Sequence, residues 1–320
     1  MAEPADSLAA ERPSPIAGTS LLRVRASAEP DRVSVAAMAA RLAPAGEPAA
    51  PPDPLTIRQW LWGPGFHTPG TAEDVLRLAE PFGATASTQL LDVAAGLGGA
   101  ARTIAAQSGA YVSALERDPD LARRGRAMSL AAGRQKQVPV GQMDPETLEL
   151  RAGTFDGILG REATHLVIDK ERFLRVLLLG LRPRGQLLLT EFVVEPALAA
   201  RPELAAWAAL QPREPLPWTL RQYSDCFLGL GVELRVPEDI SAAYKSWIVD
   251  GWARLLRTVD LRSLPRAHRL AVVAEAERWM PTVAALDSGA LRMYRFHMLA
   301  GPVRSGMGAG KLSAAALLRR

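Results

Sequence analysis

The sequence predicts an α/β protein built around a mostly parallel sheet, and three observations support this. Short apolar segments alternate with amphipathic segments of helical length across residues 54–300. The first apolar segment, TQLLDVA (88–94), ends at glycines and runs directly into a helical segment, which is typical of a buried parallel strand. The last one, LRMYRFHML (291–299), follows a short strand and a helical stretch, which favours an antiparallel edge.

The individual elements follow from local signals. The segment 118–133 has Asp118 as an N-cap, Pro119 in the first helical position and Gly133 just past its end. The segment 169–181 places its apolar side chains on one helical face. The predicted strands are 88–94, 111–116, one within 138–143, 155–160, 186–194, 231–236 and 291–299, and the predicted helices are 98–109, 118–133, 169–181, 219–229 and a long stretch over 239–287.

The composition excludes several classes of protein. The chain has 320 residues, of which 48% are hydrophobic and 22% charged, so it is neither wholly disordered nor fibrous. A single cysteine excludes an intramolecular disulfide, and the four histidines are too widely spaced to predict a metal site. Residues 1–53 are rich in alanine and proline and are predicted to be a disordered arm, and 301–320 a C-terminal tail. The GAGK in that tail lacks the remaining residues of a phosphate-binding loop.

Charge and hydropathy predict a soluble cytoplasmic protein that binds a small molecule. The net charge is +4, but the arginines are scattered among acids, whereas nucleic-acid binders concentrate basic residues on one face. No apolar run is long enough for a transmembrane helix, and the N-terminus lacks the apolar core of a secretory signal. We therefore expect neither a nucleic-acid partner nor stable membrane insertion, and a homo-oligomer is compatible with the sequence.

The segment LLDVAAGLGGAARTIAAQSGAYVSALE carries the chemistry. Gly96, Gly98 and Gly99 lie at the first strand-to-helix turn, where glycine allows a ligand to approach the backbone and the helix offers free N–H groups. Glu116 ends the second strand, 20 residues after Gly96, where a carboxylate can accept hydrogen bonds from both hydroxyls of a ribose. This pattern alone also fits a nicotinamide dinucleotide.

Asp92 favours a different cofactor. It lies inside an otherwise apolar strand, and burying a carboxylate there is costly unless a positive group pairs with it. An anionic pyrophosphate does not supply such a partner, but a cofactor that presents an ammonium or a sulfonium does.

With these residues the sequence resembles the class I S-adenosylmethionine-dependent methyltransferases. Their D-x-G-x-G-x-G motif reads here from Asp92 to Gly98, with Ala94 in place of the first glycine. The resemblance spans roughly residues 57–300 and is closest to the phosphoethanolamine and glycine/sarcosine N-methyltransferases, through WGPGFHTPG (62–70) and PWTLRQY. It implies a Rossmann-like sheet of seven strands, mostly parallel with an antiparallel last strand, helices on both faces, and a methyltransferase domain over 54–300 with a helical lid inserted at 239–290.

The resemblance also implies the cofactor, S-adenosylmethionine, and the residues that bind it. The carboxylate of Glu116 would hold the ribose, Met143 and Asp144 would lie beside the adenine, and Arg161 would approach the methionine portion. Three of these residues have an alternative interpretation: Glu116 could be a surface acid, Asp144 could cap a helix, and Arg161 could pair with Glu162 or Asp156 on the surface. The full set of expected cofactor residues is Asp92, Ala94, Gly96, Gly98, Glu116, Arg117, Met143, Asp144 and Arg161.

On the acceptor side the resemblance implies a catalytic histidine, which we place at His165, just after the fourth strand. The alternative is that His165 is an ordinary loop histidine. A neutral imidazole suits proton abstraction from an ammonium. The partner tyrosine of the family is Phe66 here, and its aspartate–tyrosine pair is Glu191–Phe192, which argues against a phosphorylated substrate. The expected substrate-binding residues are Phe66, Glu162, Tyr244 and Trp247; the last two lie on one helical face that could instead only pack on the sheet.

The expected function is therefore methylation of a small-molecule acceptor, with an amine nitrogen favoured over oxygen, sulfur or carbon. Two alternatives are an NAD(P)-dependent oxidoreductase, which the glycine pattern also allows, and a non-catalytic protein on the methyltransferase fold. Ala94 and Phe66 are the residues that favour the latter.

Overall fold

The computed structural model describes residues 50–235 and 237–300, and the arm, apart from 50–53, and the tail lie outside them. The strands are β1 (Gln89–Val93), β2 (Tyr111–Glu116), β3 (Val140–Gln142), β4 (Phe155–Arg161), β5 (Leu181–Val194), β6 (Glu233–Leu234), β7 (Glu238–Asp239) and β8 (Leu291–Leu299). The α-helices are α1 (Pro54–Trp62), α2 (Ala72–Ala79), α3 (Gly99–Ser108), α4 (Pro119–Ala131), α5 (Lys170–Gly180), α6 (Pro202–Ala208), α7 (Leu220–Gly229), α8 (Ser241–Thr258) and α9 (Arg266–Asp287).

The strands form one sheet in the order β3-β2-β1-β4-β5-β8-β6, with β7 also paired to β8. The pairs among β1 to β5 are parallel, and β8 runs antiparallel to β5 from Gln186↔Leu299 to Val194↔Leu291. This confirms the predicted Rossmann-like α/β fold. The parallel strands all end at one edge of the sheet, so the residues after β1, β2 and β4 meet there.

The outer edge of the sheet and the helical insertion differ from the sequence prediction, and β5 begins at Leu181, five residues earlier than predicted. The outer strand 231–236 is reduced to β6, and the same edge of β8 is also paired by β7, which gives eight strands where seven were expected. Pro237 lies between the two short strands and has no N–H to donate to a ladder. The long helical stretch is divided into α8 and α9, with a turn of 3₁₀ helix at Leu261–Ser263 between them.

The helices cover both faces of the sheet. On one face α5 and α7 pack on β4 and β5, where Phe173, Tyr223 and Phe296 are fully buried. A second cluster joins the end of β5 to α6, α8 and α9, and includes Phe192, Trp207 and Tyr244. Because α8 and α9 stand over the carboxyl edge of the sheet, we call them the helical roof. Within the described residues, no helix is long and apolar enough to cross a membrane.

The roof is tied to α1 by buried polar contacts. The Arg58 guanidinium of α1 pairs with Glu275 of α9 at 2.6 Å, and both side chains are largely buried. Trp279 donates its indole N–H to the same carboxylate and packs edge-on against Trp62, with ring centroids 4.9 Å apart. The chain between α1 and α2 is therefore anchored beneath the roof.

Candidate functional site

The turn after β1 is shaped for close approach to its backbone. Ala94, Gly96 and Gly98 have φ values of 58°, 57° and 76°, all in the left-handed region. Glycine adopts this conformation readily, whereas alanine does so at a cost. The turn leads into α3, where the Gly99 N–H donates to the Gly65 carbonyl at 3.1 Å and the Ala101 N–H to the Asp92 carboxylate.

Asp92 is a buried carboxylate without a full set of partners. The residue is 2% exposed, and its Oδ2 atom has no hydrogen-bond partner among the described residues. Burial raises the pKa of Asp92 to about 7, although the nearby Arg161 guanidinium opposes the shift. An incoming cationic group would satisfy Oδ2 and favour the ionised form.

Glu116 is held by the backbone around the same turn. Its Oε2 accepts a hydrogen bond from the Gly96 N–H at 2.6 Å and its Oε1 one from the Asp118 N–H at 2.8 Å. Burial nevertheless raises the pKa of this carboxyl. Two carboxylate oxygens offer about four acceptor sites, so sites remain for a diol.

Three other residues expected at the cofactor, Met143, Asp144 and Arg117, differ in their burial and their contacts. Met143 is buried and is joined to β2 by its N–H, which donates to the Glu116 carbonyl at 2.9 Å. Asp144 is exposed and accepts from the Glu146 N–H at 3.0 Å, so it caps a turn and not a helix. The Arg117 side chain donates to the Leu166 carbonyl at 3.1 Å.

Arg161 lies at the centre of the site. Its guanidinium donates to the Pro69 carbonyl and lines a small cavity together with Asp92 and Ala94. Asp156, a possible surface partner, is engaged instead by Arg182 at 2.6 Å. Arg161 therefore faces the cavity beside Asp92.

The segment 63–70, which we call the strap, closes over this cavity. The Gly65 carbonyl accepts a hydrogen bond from the Gly99 N–H at 3.1 Å, and Phe66 lines the cavity. The His67 ring lies directly against Gly96, where any Cβ would overlap it. The cavity left between the strap and β1 is only about 10 Å³.

His67 was not singled out in the sequence. Burial and the positive charges of Arg58 and Arg161 lower the pKa of His67 to about 3, against a smaller opposing effect of Asp118. The only signal was its place in WGPGFHTPG, and nothing in that segment shows which side chain turns inward.

Two of the residues expected at the substrate, Glu162 and Tyr244, are in direct contact. The Tyr244 hydroxyl, reaching down from α8, donates to Glu162 Oε1 at 2.9 Å. Tyr244 packs edge-on against Trp247, with centroids 5.9 Å apart. A methyl group built on Gly70 would lie 3.5 Å from the Trp247 ring, so the roof and the strap meet at this point.

His165 lies deeper, in the aromatic cluster under the roof. Its ring is edge-on to Phe192 at 5.3 Å and 6.2 Å from Trp207, and its Nδ1 has no partner among the described residues. Burial lowers the pKa of His165 to about 4.

A second buried carboxylate, that of Glu191, lies in β5. It is fully buried and accepts from the N–H groups of Ala163 and Thr164 at 3.0 and 3.1 Å. Burial raises the pKa of Glu191 to about 8. An acid inside the apolar strand QLLLTEFVV is the same signal that identified Asp92, and the sequence analysis did not use it.

Comparisons with known proteins agree with this geometry. A family described as "Methyltransferase domain" matches residues 91–189. Phosphoethanolamine N-methyltransferase 2 of Caenorhabditis elegans is 25% identical over 138 residues, which cover 42% of this chain and 31% of that protein. The chain thus spans about a third of the length of the curated relatives it matches first.

Two solved structures share the fold. Haemonchus contortus phosphoethanolamine N-methyltransferase 2, in complex with S-adenosyl-L-methionine, has a TM-score of 0.66 at 17% identity, covering 77% of this chain and 56% of that one. Geranyl diphosphate C-methyltransferase of Streptomyces coelicolor A3(2) has a TM-score of 0.57 at 13% identity, covering 72% and 77%. Residues 91–189 are therefore a methyltransferase domain, and the fold around them is that of the class I methyltransferases, which use S-adenosylmethionine as methyl donor.

Proposed function

We propose that this chain is a methyltransferase that uses S-adenosylmethionine to methylate the nitrogen of a small amine. The observation that carries the proposal is the unpartnered Oδ2 of Asp92, buried beneath a turn with left-handed backbone at residues 94, 96 and 98. A buried carboxylate with a free oxygen is a site for a cationic group. S-adenosylmethionine, when bound, supplies a methyl group on a positively charged sulfonium.

The residues on this edge of the sheet fit that cofactor. Asp92 offers its free oxygen to an ammonium, and Glu116 keeps acceptor sites for ribose hydroxyls. Met143 provides a buried apolar side chain next to the end of β2. Asp144 and Arg161 belong to the same proposed site, while the Arg117 side chain contributes by holding the Leu166 loop.

Glu162 supports an amine as the acceptor. Its carboxylate accepts a hydrogen bond from Tyr244 of the roof, whose ring packs against Trp247, and aromatic faces and a carboxylate together favour a cation. Phe66 and Phe192 bring no hydroxyl group to this region, so a phosphorylated amine would lose hydrogen bonds on entering it. Two of the relatives are named as N-methyltransferases of glycine/sarcosine/dimethylglycine and of norajmaline.

The chain contributes alignment and exclusion of water more than strong acid–base chemistry. Methyl transfer is a displacement at carbon in which the attacking atom must be held in line with the leaving group. The strap and the roof close over the carboxyl edge of the sheet and keep solvent from it.

Calorimetric titration with S-adenosylmethionine tests the cofactor site. Asp92→Asn should weaken binding about 10-fold to 100-fold, because a charge-assisted hydrogen bond is lost. Asp156→Asn, at the opposite end of β4, is the matched control and should leave the affinity unchanged. The wild-type affinity should rise with pH and level off above about 7, since Asp92 must be ionised to bind a cation.

Three results would contradict parts of the proposed function. Unchanged affinity in Asp92→Asn would remove this residue from the site. Binding of NAD or NADP without binding of S-adenosylmethionine, measured by equilibrium dialysis, would favour an oxidoreductase. Binding of S-adenosylmethionine without product in a screen of amines, phenols, thiols and carbon nucleophiles would favour a non-catalytic protein.

A further inference from the structure

Glu162 has a backbone conformation that its side chain does not favour. Its φ is 55°, in the left-handed region, directly after β4. Its N–H donates to the Thr190 carbonyl at 2.7 Å, which holds the residue in this turn. Left-handed residues other than glycine are uncommon, and they cluster at functional sites.

This turn places the carboxylate under the roof with one polar partner, the Tyr244 hydroxyl at 2.9 Å. The adjacent Arg161 guanidinium is engaged by the Pro69 carbonyl of the strap. Burial raises the pKa of Glu162, while Arg161 and the hydrogen bond from Tyr244 lower it. The carboxylate is thus an acceptor near the meeting point of strap, roof and β4.

His165 is less suited to accept a proton from an amine. Its ring is enclosed by Phe192 and Trp207 in the aromatic cluster under the roof. Charging an imidazole among aromatic rings is costly, which is why its pKa falls to about 4. For Glu162 the effect of burial is reversed, because accepting a proton neutralises the carboxylate and burial favours the neutral form.

We infer that Glu162 is the group that takes the proton from the acceptor's ammonium, and that Tyr244 is the residue that positions it. This inference rests on the proposed function. The N–H bond of the ammonium breaks, an O–H bond forms on the Glu162 carboxylate, and the electron pair stays on nitrogen, where it is free to accept a methyl group. The proton then leaves Glu162 for solvent when the strap opens.

The partial burial of Glu162 favours this transfer. In water an ammonium does not give its proton to a carboxylate, because both charges are well hydrated. Under the roof a charged pair is less well hydrated, and conversion to a neutral amine and a neutral carboxyl removes both charges.

The test compares three variants of the full chain: Glu162→Gln, Tyr244→Phe and His165→Phe. Initial rates are measured with tritiated S-adenosylmethionine and a panel of amines from methylamine to phenethylamine and tryptamine. Glu162→Gln should lower kcat by about 10²-fold to 10⁴-fold. Its affinity for S-adenosylhomocysteine should stay within about twofold, and its loss of kcat should exceed that of His165→Phe, which tests the competing assignment.

Tyr244→Phe separates positioning from a structural role. The hydroxyl donates to the carboxylate and stabilises its charged form, so removing it should move the acid limb of kcat/KM to higher pH. Infrared difference spectra give the same information without turnover. The carbonyl band of protonated Glu162 is identified by its loss in Glu162→Gln. In the wild type this band should persist to a pH above the usual carboxyl pKa. In Tyr244→Phe the pH at which the band disappears should be higher still.

Each failure points to a different conclusion. If the wild type methylates none of the amines, the proposed amine specificity is wrong and the proton step is wrong with it. If the wild type is active and Glu162→Gln retains its rate while His165→Phe loses it, only the assignment of the proton acceptor is wrong. A Glu162 band that titrates near the usual carboxyl pKa of about 4.3, or that does not move in Tyr244→Phe, also overturns the inference.

Discussion

At the scale of single residues, Ala94 shows the cost of a departure from the glycine motif. Its φ of 58° costs an alanine about 1–2 kcal/mol, whereas glycine adopts it freely. Ala94→Gly should therefore raise the free energy of unfolding by about 0.5–1 kcal/mol after the entropy of the unfolded glycine is included, a rise in Tm of about 1–4 °C.

The neighbouring Ala95 provides the control. Ala95 is not among the residues with positive φ, so Ala95→Gly should lower the stability, since only the unfolded chain gains freedom. Thermal unfolding followed by circular dichroism measures both variants. Equal losses in the two variants would show that the left-handed turn at Ala94 carries no strain.

The residues that could be predicted from sequence are those fixed by local pattern. Asp92 and Glu116 follow from an acid in an apolar strand and from its spacing to the glycines, and both lie at the expected edge of the sheet. The direction of the Arg117 side chain could not be predicted, because Leu166, to which it donates, is 49 residues away in sequence. The inward turn of His67 likewise depends on contacts between distant elements.

At the scale of elements, the strap is sensitive to pH through His67. The groups that face this ring are Arg58 from α1, Arg161 from β4 and Asp118 from the turn after β2. Because the pKa of His67 in the closed strap is about 3, below the ordinary 6.5, closure is fully stable above pH 6.5 and weakens as pH falls. At pH 5, keeping the His67 ring neutral destabilises the closed strap by about 2 kcal/mol, because this pH lies below the ordinary histidine pKa of 6.5.

Calorimetric melting of the wild type and of His67→Asn between pH 7 and pH 5 measures this contribution. The wild type should lose more stability than His67→Asn over this interval, because the asparagine has no proton to take up. Parallel curves for the two proteins would place the imidazole in solvent, away from Gly96.

The elements of the sheet could be predicted because buried strands are continuous apolar runs. The outer edge could not be predicted in the same way. There the strand is split into β6 and β7 around Pro237, and the pairing is decided by which parts of β8 remain free. The division of 239–287 into α8 and α9, by contrast, has a local signal that the sequence prediction did not use. Asp260 caps the 3₁₀ turn at Leu261–Ser263, and Pro265 directly precedes α9.

At the scale of the whole molecule, the boundary between the arm and the domain can be tested by truncation. The arm was predicted to end at residue 53, but Asp53 accepts a hydrogen bond from the Leu55 N–H as the N-cap of α1 and pairs with Arg124. Deleting residues 1–49 should leave the Tm nearly unchanged, as the composition of the arm predicts. Deleting 1–53 should cost about 1 kcal/mol more, because the cap is lost.

Scanning calorimetry of the two truncations and of Asp53→Ala in the full chain separates the contributions. The difference between the truncations should equal the effect of Asp53→Ala. A fall of many degrees on deleting 1–49 would show that VSVAAMAARL (33–42) packs on the domain and belongs to its fold.

The closed strap has a kinetic consequence for the whole molecule. The methionine part of the cofactor, which the proposed site places beside Asp92, does not fit in a space of about 10 Å³, so the strap must open before the cofactor can bind. The measured dissociation constant is then the intrinsic one divided by the open fraction. The observed association rate should stop rising with cofactor concentration once it equals the rate of opening. The strap opens only when the contacts of Gly65, His67 and Pro69 with the rest of the site are broken, so these contacts limit the rate at which each turnover begins. The strap must open again before the product leaves.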